Sequence, residues 1–111
     1  QGTIIFTGAT ASIRGRENLA AFAAAKNGLR AVAQSMAREL GPQGVHVAHV
    51  ICDGAIDGVF TRSRFDDVTP LLDDDLILKP DEIASNYVML HRQQRSAWTH
   101  ELDLRPWREK W

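Results

Sequence analysis

The residues able to do chemistry are few and scattered along the chain. In the stretch AAFAAAKNGLRAVAQSMAREL, Ala20 to Leu40, Lys26 follows Phe22 by four positions, a spacing that puts both on one face of a helix. Read alone, Phe22 is a core aromatic and Lys26 a surface lysine whose stem lies along its alanine neighbours. His46, His49, His91 and His100 lack a metal-ligand spacing such as His-x-x-x-His. His46 and His49, three apart on a strand, point to opposite faces, and none of the four reads as a ligand. The run Asp73-Asp74-Asp75 reads as solvated loop surface rather than a cation site, so no metal is expected. Asp57 reads as plain loop. Cys52, the single cysteine, closes an apolar run and reads as a buried thiol. One cysteine excludes an intrachain disulfide and argues against a Cys-based metal site.

The elements that must position these groups are legible from periodicity. Thr3 to Thr7, TIIFT, is a β-branched and aromatic run that suits a strand buried on both faces. Gly8 to Ser12, GATAS, has the small, flexible composition of a strand leaving a sheet into a functional loop, and Arg14 to Asn18 continues as loop. A helix follows from about Leu19 to Leu40, with Leu29, Val32, Ala33, Met36, Ala37 and Leu40 as its buried face and Arg30 elsewhere. Gly41-Pro42 stops it, through a left-handed glycine cap and a proline that cannot continue the ladder. Val45 to Ile51 is a second strand, and Asp53 to about Lys79 a long irregular segment of the kind used for lids and binding loops. A second helix starts at KPDEIASNYVMLHRQQ, with Pro80 in its first turn, Asp81 and Glu82 complementing the dipole, and Ile83, Tyr87 and Leu90 on its apolar side. Ala97 to Leu104 alternates as a third strand. The order βαβαβ specifies an α/β fold with a Rossmann-like parallel sheet of three strands and two main helices.

Composition narrows the class. The 111 residues suit one small domain, and 44% hydrophobic with 24% charged residues is ordinary for a globular protein. A formal net charge of -1, with no long basic run, argues against nucleic acid or anionic membrane as partner. No apolar run reaches the roughly 18 residues of a membrane span, and no leader pattern opens the chain. A cytoplasmic protein is expected. The chain begins Gln1-Gly2-Thr3 and is within a strand pattern by residue 4, which reads as a piece of something longer.

Three segments in order resemble the short-chain dehydrogenase/reductase family. GTIIFTGATAS sits where that family has Gly-x-Ile-Val-Asn-Ile-Ser-Ser. FAAAKNGLRAVAQSMARELGPQGVHV is similar to the helix carrying Tyr-x-x-x-Lys and the turn into the next strand, and KPDEIASNYVML with SAWTHELDL to the late helix and last strand. The resemblance implies that residues 1–111 form a single domain equivalent to the C-terminal half of such an enzyme, strands five to seven, with the N-terminal nucleotide-binding half absent. No glycine cluster of the pyrophosphate-cradling type follows a strand and opens a helix here.

The family's chemistry, hydride transfer between a nicotinamide and a hydroxyl or carbonyl substrate, implies the site residues. Lys26 matches the lysine that bonds the nicotinamide ribose and lowers the pKa of a tyrosine acid, ordinarily near 10. The tyrosine position is Phe22, and counting back without gaps the serine position is Ala9; neither carries a hydroxyl. Thr10 and Ser12 are the nearby hydroxyls that offer a substitute. CDGAIDG replaces the family's Pro-Gly turn facing the nicotinamide, with Gly54 and Ile56 kept, Asp53 for the proline and Gly58 for the threonine. The cofactor implied is NAD or NADP, bound weakly or not at all by this chain alone. The partners implied are a small hydroxyl or carbonyl substrate and further copies in a homo-oligomer, through the open edge of the first strand or the long helix. Trp98, Trp107 and Trp111, near one end of the sequence, suit a subunit contact or ordinary core. The alternative function is a catalytically silent relative that acts by binding or assembly.

Overall fold

In the computed structural model, which describes residues 2–111, the first apolar run does not stop at Thr7. Strand β1 spans Gly2–Ala9 and pairs in parallel with β2, Val45–Cys52, at every position from Gly2 opposite Val45 to Ala9 opposite Cys52. The small residues Gly8 and Ala9 are therefore strand, not loop, because a partner strand supplies the ladder that their own propensity does not. Strand β3, Glu101–Leu104, pairs in parallel with β2 from His49–Glu101 to Cys52–Leu104, giving the order β1-β2-β3. It is shorter than the alternation from Ala97 suggests. Arg95–Ala97 form a 3₁₀ turn, and Trp98 and Thr99 are held by Gln93, whose carbonyl accepts from Trp98 Nε1 and whose side chain bonds Thr99.

Helix α1 spans Ala20–Leu40. Only Ala23 and Ala33 of it are buried, whereas Val32 is 48% exposed, so the expected apolar face is only partly covered. Its end also differs from expectation. Gly41 is right-handed (φ -53°), the chain runs through a 3₁₀ turn at Gly41–Gln43 containing Pro42, and the left-handed residue is Gly44 at φ 84°. The segment from Asp53 is not wholly irregular: it holds two short helices, α2 at Val59–Arg64 and α3 at Thr69–Asp73. Helix α4 runs Pro80–Arg92, with proline in its first turn.

Helices α1 and α4 cover opposite faces of the sheet. Ala48, Val50 and Cys52 of β2 form a buried cluster with Leu90 of α4, flanked by Ile5, Ile83, Tyr87, Leu102 and Leu104. On the other face, the Arg30 guanidinium of α1 donates two bonds of 2.8 Å to Glu101, and Glu101 Oε2 accepts from His49 Nδ1 at 3.1 Å. β2 is buried along nearly its whole length, as the middle strand of a parallel sheet with helices on both sides requires. The outer edge of β1 has no partner strand among the described residues.

Candidate active site

The site lies at the carboxyl ends of β1 and β2, where Ala9 and Cys52 sit side by side. In open α/β sheets this is the end at which ligands bind. α1 begins beside it. Lys26 Nζ donates to the Thr7 carbonyl at 3.2 Å and lies 6.0 Å from the centroid of the Phe22 ring. Phe22 is 46% exposed, not a core aromatic. It lines a cleft of ≈ 160 Å³ together with Ala9, Thr10, Arg14, Arg16 and Gly54. A second, more apolar cleft of ≈ 450 Å³ shares Ala9, Cys52 and Gly54 and continues along Ile56, Val59 and Phe60. The fold thus brings together Phe22, Ala9, Gly54 and Ile56, with Lys26 one helical turn from Phe22.

Ser12 is placed differently. It is fully buried in a 3₁₀ turn at Thr10–Ser12, lines neither cleft, and its Oγ accepts the Ala9 N–H at 3.0 Å. Gly8 explains how it packs there. A Cβ on Gly8 would stand 2.6 Å from Ser12 Oγ and 2.9 Å from His49 Cε1, so glycine alone lets His49 and Ser12 lie over the strand. Asn27 ties this turn to the helix, donating to the carbonyls of Ala11 and Ala23 at 2.7 and 2.9 Å.

Asp53 is the residue that sequence reasoning missed. Its place in the chain marks only a replacement for a turn proline, yet it is fully buried and gathers Thr10, Arg14 and Arg105. Thr10 Oγ1 donates to it at 2.5 Å, Arg14 Nη2 reaches both its oxygens at 3.1 and 3.3 Å, and Arg105 Nε donates at 3.3 Å. Burial opposes its ionisation more than any other single influence. The bonds from Thr10 and Arg105 and the charges of Arg14 and Arg105 together outweigh it, holding its pKa below the ordinary carboxylate value. The partners lie 39 to 52 positions away, and the signal present was an aspartate directly after a continuous apolar strand.

Glu101 is likewise held below the usual carboxylate range, chiefly by the Arg30 bonds. Burial pushes the Cys52 thiol up, which fits an inert core cysteine. Burial also raises Tyr87, the single tyrosine, whose hydroxyl is engaged with Thr7 Oγ1 at 2.6 Å. Asp57 pairs with Arg62 at 2.7 Å.

The three tryptophans do not converge. Trp98 stacks on His46 (centroids 4.8 Å, interplanar 3°), whereas Trp107 and Trp111 are exposed and sit against Arg108 and Arg105. No helix among the described residues is long and apolar enough to cross a membrane.

A three-layer α/β arrangement with its cleft at the ends of parallel strands defines a Rossmann-like fold. The chain belongs to the short-chain dehydrogenase/reductase family: the family model described as enoyl-(acyl carrier protein) reductase matches residues 1–101. Among curated relatives, the 3-oxoacyl-[acyl-carrier-protein] reductase MabA of Mycobacterium avium is 44% identical over 62 residues, 56% of this chain and 24% of the relative. Among solved structures, a short-chain dehydrogenase from Rhodopseudomonas palustris is 48% identical with a TM-score of 0.70, over 96% of this chain and 39% of that one. The 3-ketoacyl-(acyl-carrier-protein) reductase of Brucella melitensis, solved with NADH, is 27% identical with a TM-score of 0.74, over 97% of this chain and 44% of that one. The chain therefore spans less than half the length of each.

Proposed function

We propose that residues 1–111 form the C-terminal half of an NAD(P)-dependent short-chain oxidoreductase acting on a hydroxyl or carbonyl substrate. Its active site lacks two of the family's hydroxyls. The observation that carries the reading is the placement of Lys26 beside Phe22 at the carboxyl ends of β1 and β2.

The residues present suit the nicotinamide half of the cofactor. Ala55 O and Asp57 N are both bonded to Leu78, at 2.8 Å each. A strand-like segment paired on one side turns the N–H and C=O of its middle residue, here Ile56, to the other side. An amide facing that side would find one donor and one acceptor. The apolar cleft along Gly54, Ile56 and Val59 suits a flat ring. Lys26 Nζ uses one of its three donors on Thr7 and keeps two for ribose hydroxyls. When bound, the nicotinamide gives or accepts the hydride. On this chain, Phe22 and Ala9 shape the substrate side without a proton to donate, and the Thr10 proton is directed to Asp53.

The missing hydroxyls favour a second reading, a catalytically silent family member that works by binding or assembly. Titration of NADH and NADPH into the intact protein, followed by nicotinamide fluorescence, tests the first reading. Saturable binding that is weakened in Lys26→Ala supports it. Absence of binding sinks it and leaves the silent relative.

Association is part of the same proposal. In the isolated 111-residue chain, the unpartnered edge of β1 and the exposed Val32 on α1 both favour contact with another copy. Sedimentation of the isolated chain as an oligomer supports this, and a stable monomer in dilute solution counts against it.

A further inference from the structure

We propose that the cleft beside Phe22 is a carboxylate-binding subsite, in which Arg16 supplies the recognising charge and Arg14 a second set of donors held in place by Asp53. The proposal rests on reading this cleft as the substrate site.

Arg14 and Arg16 line the cleft with Ala9, Thr10, Leu19 and Phe22. Their charges are not equivalent. Arg14 is matched by the buried carboxylate of Asp53, at 3.1 Å. Arg105 bonds the same carboxylate and also Asp103, so these two arginines and two aspartates cancel. Arg16 has no acidic partner within salt-bridge distance among the described residues. Arg16 therefore brings to the lining a positive charge that no salt bridge cancels, while the Glu109 carboxylate approaches the cleft only at Gly54. An arginine set beside the apolar wall of Leu19 and Phe22 suits an organic carboxylate.

The donors point the same way. A guanidinium presents its N–H groups in a planar fork that matches carboxylate oxygens. Leu19 and Phe22, 44% and 46% exposed, give the cleft an apolar wall, and apolar surroundings strengthen an ion pair relative to open water. Where the family places hydroxyls to hold a substrate oxygen, this chain therefore places charge to hold a substrate anion. Arginine stays protonated at working pH, so it orients the molecule and transfers no proton.

Benzoate and benzamide, alike in shape and different in charge, are suitable probes of the intact protein by calorimetry at low salt. Benzoate should bind at least about tenfold more tightly than benzamide, and the preference should shrink as salt rises. Arg16→Gln should abolish the preference, and Arg16→Lys should keep part of it. Equal binding of the two probes, an undiminished preference in Arg16→Gln, or tighter binding of inorganic phosphate than of benzoate would each overturn the assignment. NADH titration of the same samples separates the two claims. A benzoate preference without NADH binding leaves the subsite standing and removes the oxidoreductase reading. NADH binding without a benzoate preference removes the subsite alone.

Discussion

The Lys26 ammonium stands 6.0 Å from the centre of the Phe22 ring and bonds the Thr7 carbonyl. An ammonium thus stands one helical turn from a ring that carries no hydroxyl.

Restoring the hydroxyls should restore proton transfer. In the intact protein, Phe22→Tyr with Ala9→Ser is expected to raise carbonyl reduction by about 10² to 10⁴, the range a positioned acid contributes. NADPH consumption with a small ketone measures it, together with a pH–rate profile that gains a limb where the new phenol titrates. No gain would show that the substrate side has diverged beyond its hydroxyls.

Asp53 should matter more for stability than any other acid. Asp53→Asn leaves Arg14 and Arg105 without their shared carboxylate and removes a strong acceptor from Thr10. Breaking a buried pair at one partner costs about 3 kcal/mol or more. Urea unfolding should show a lower midpoint at unchanged slope. A midpoint equal to the parent's would mean that the hub adds nothing.

Gly8→Ala tests the close packing over β1. The added methyl would meet Ser12 Oγ and the His49 ring inside normal contact, so a loss of about 1–3 kcal/mol is expected from overpacking. Thermal unfolding measures it, and the double variant Gly8→Ala with Ser12→Ala should recover part of the loss.

Acid should unfold the protein through the same carboxylates. Asp53 and Glu101 have pKa values lowered in the folded state, so their stabilisation is fully present above the unfolded values, about 3.9 and 4.3. It is lost as pH falls through the lower folded values. Tm should hold from neutral pH to about 5 and drop below about 4. In Glu101→Gln the protein should be weaker at neutral pH and the drop shallower. An unchanged drop in both Glu101→Gln and Asp53→Asn would show that other groups govern it.

Much of the frame was legible because it is local. The apolar run of β2, the helical period of α1 and the start of α4 at Pro80 each arise from residues within one element. The rest of the frame is set where a distant partner decides. β1 runs on through Gly8 and Ala9 because β2 pairs with them, whereas the alternation from Ala97 yields only Glu101–Leu104 because Gln93 captures Trp98 and Thr99.

Residue type and short-range spacing were enough for the order of strands and helices, the family resemblance, and the lack of a hydroxyl at positions 9 and 22. It took the folded chain to show that Asp53 holds Thr10, Arg14 and Arg105, that Ser12 turns inward over Gly8, and that Arg14 and Arg16 share a cleft with Phe22. For Asp53 the cause is separation along the chain; for Ser12 and the two arginines it is a short irregular segment whose side-chain directions follow no period. Charges and hydroxyls dozens of residues apart have no periodic signal, and they acquire a partner only when the parallel sheet brings its strand ends together.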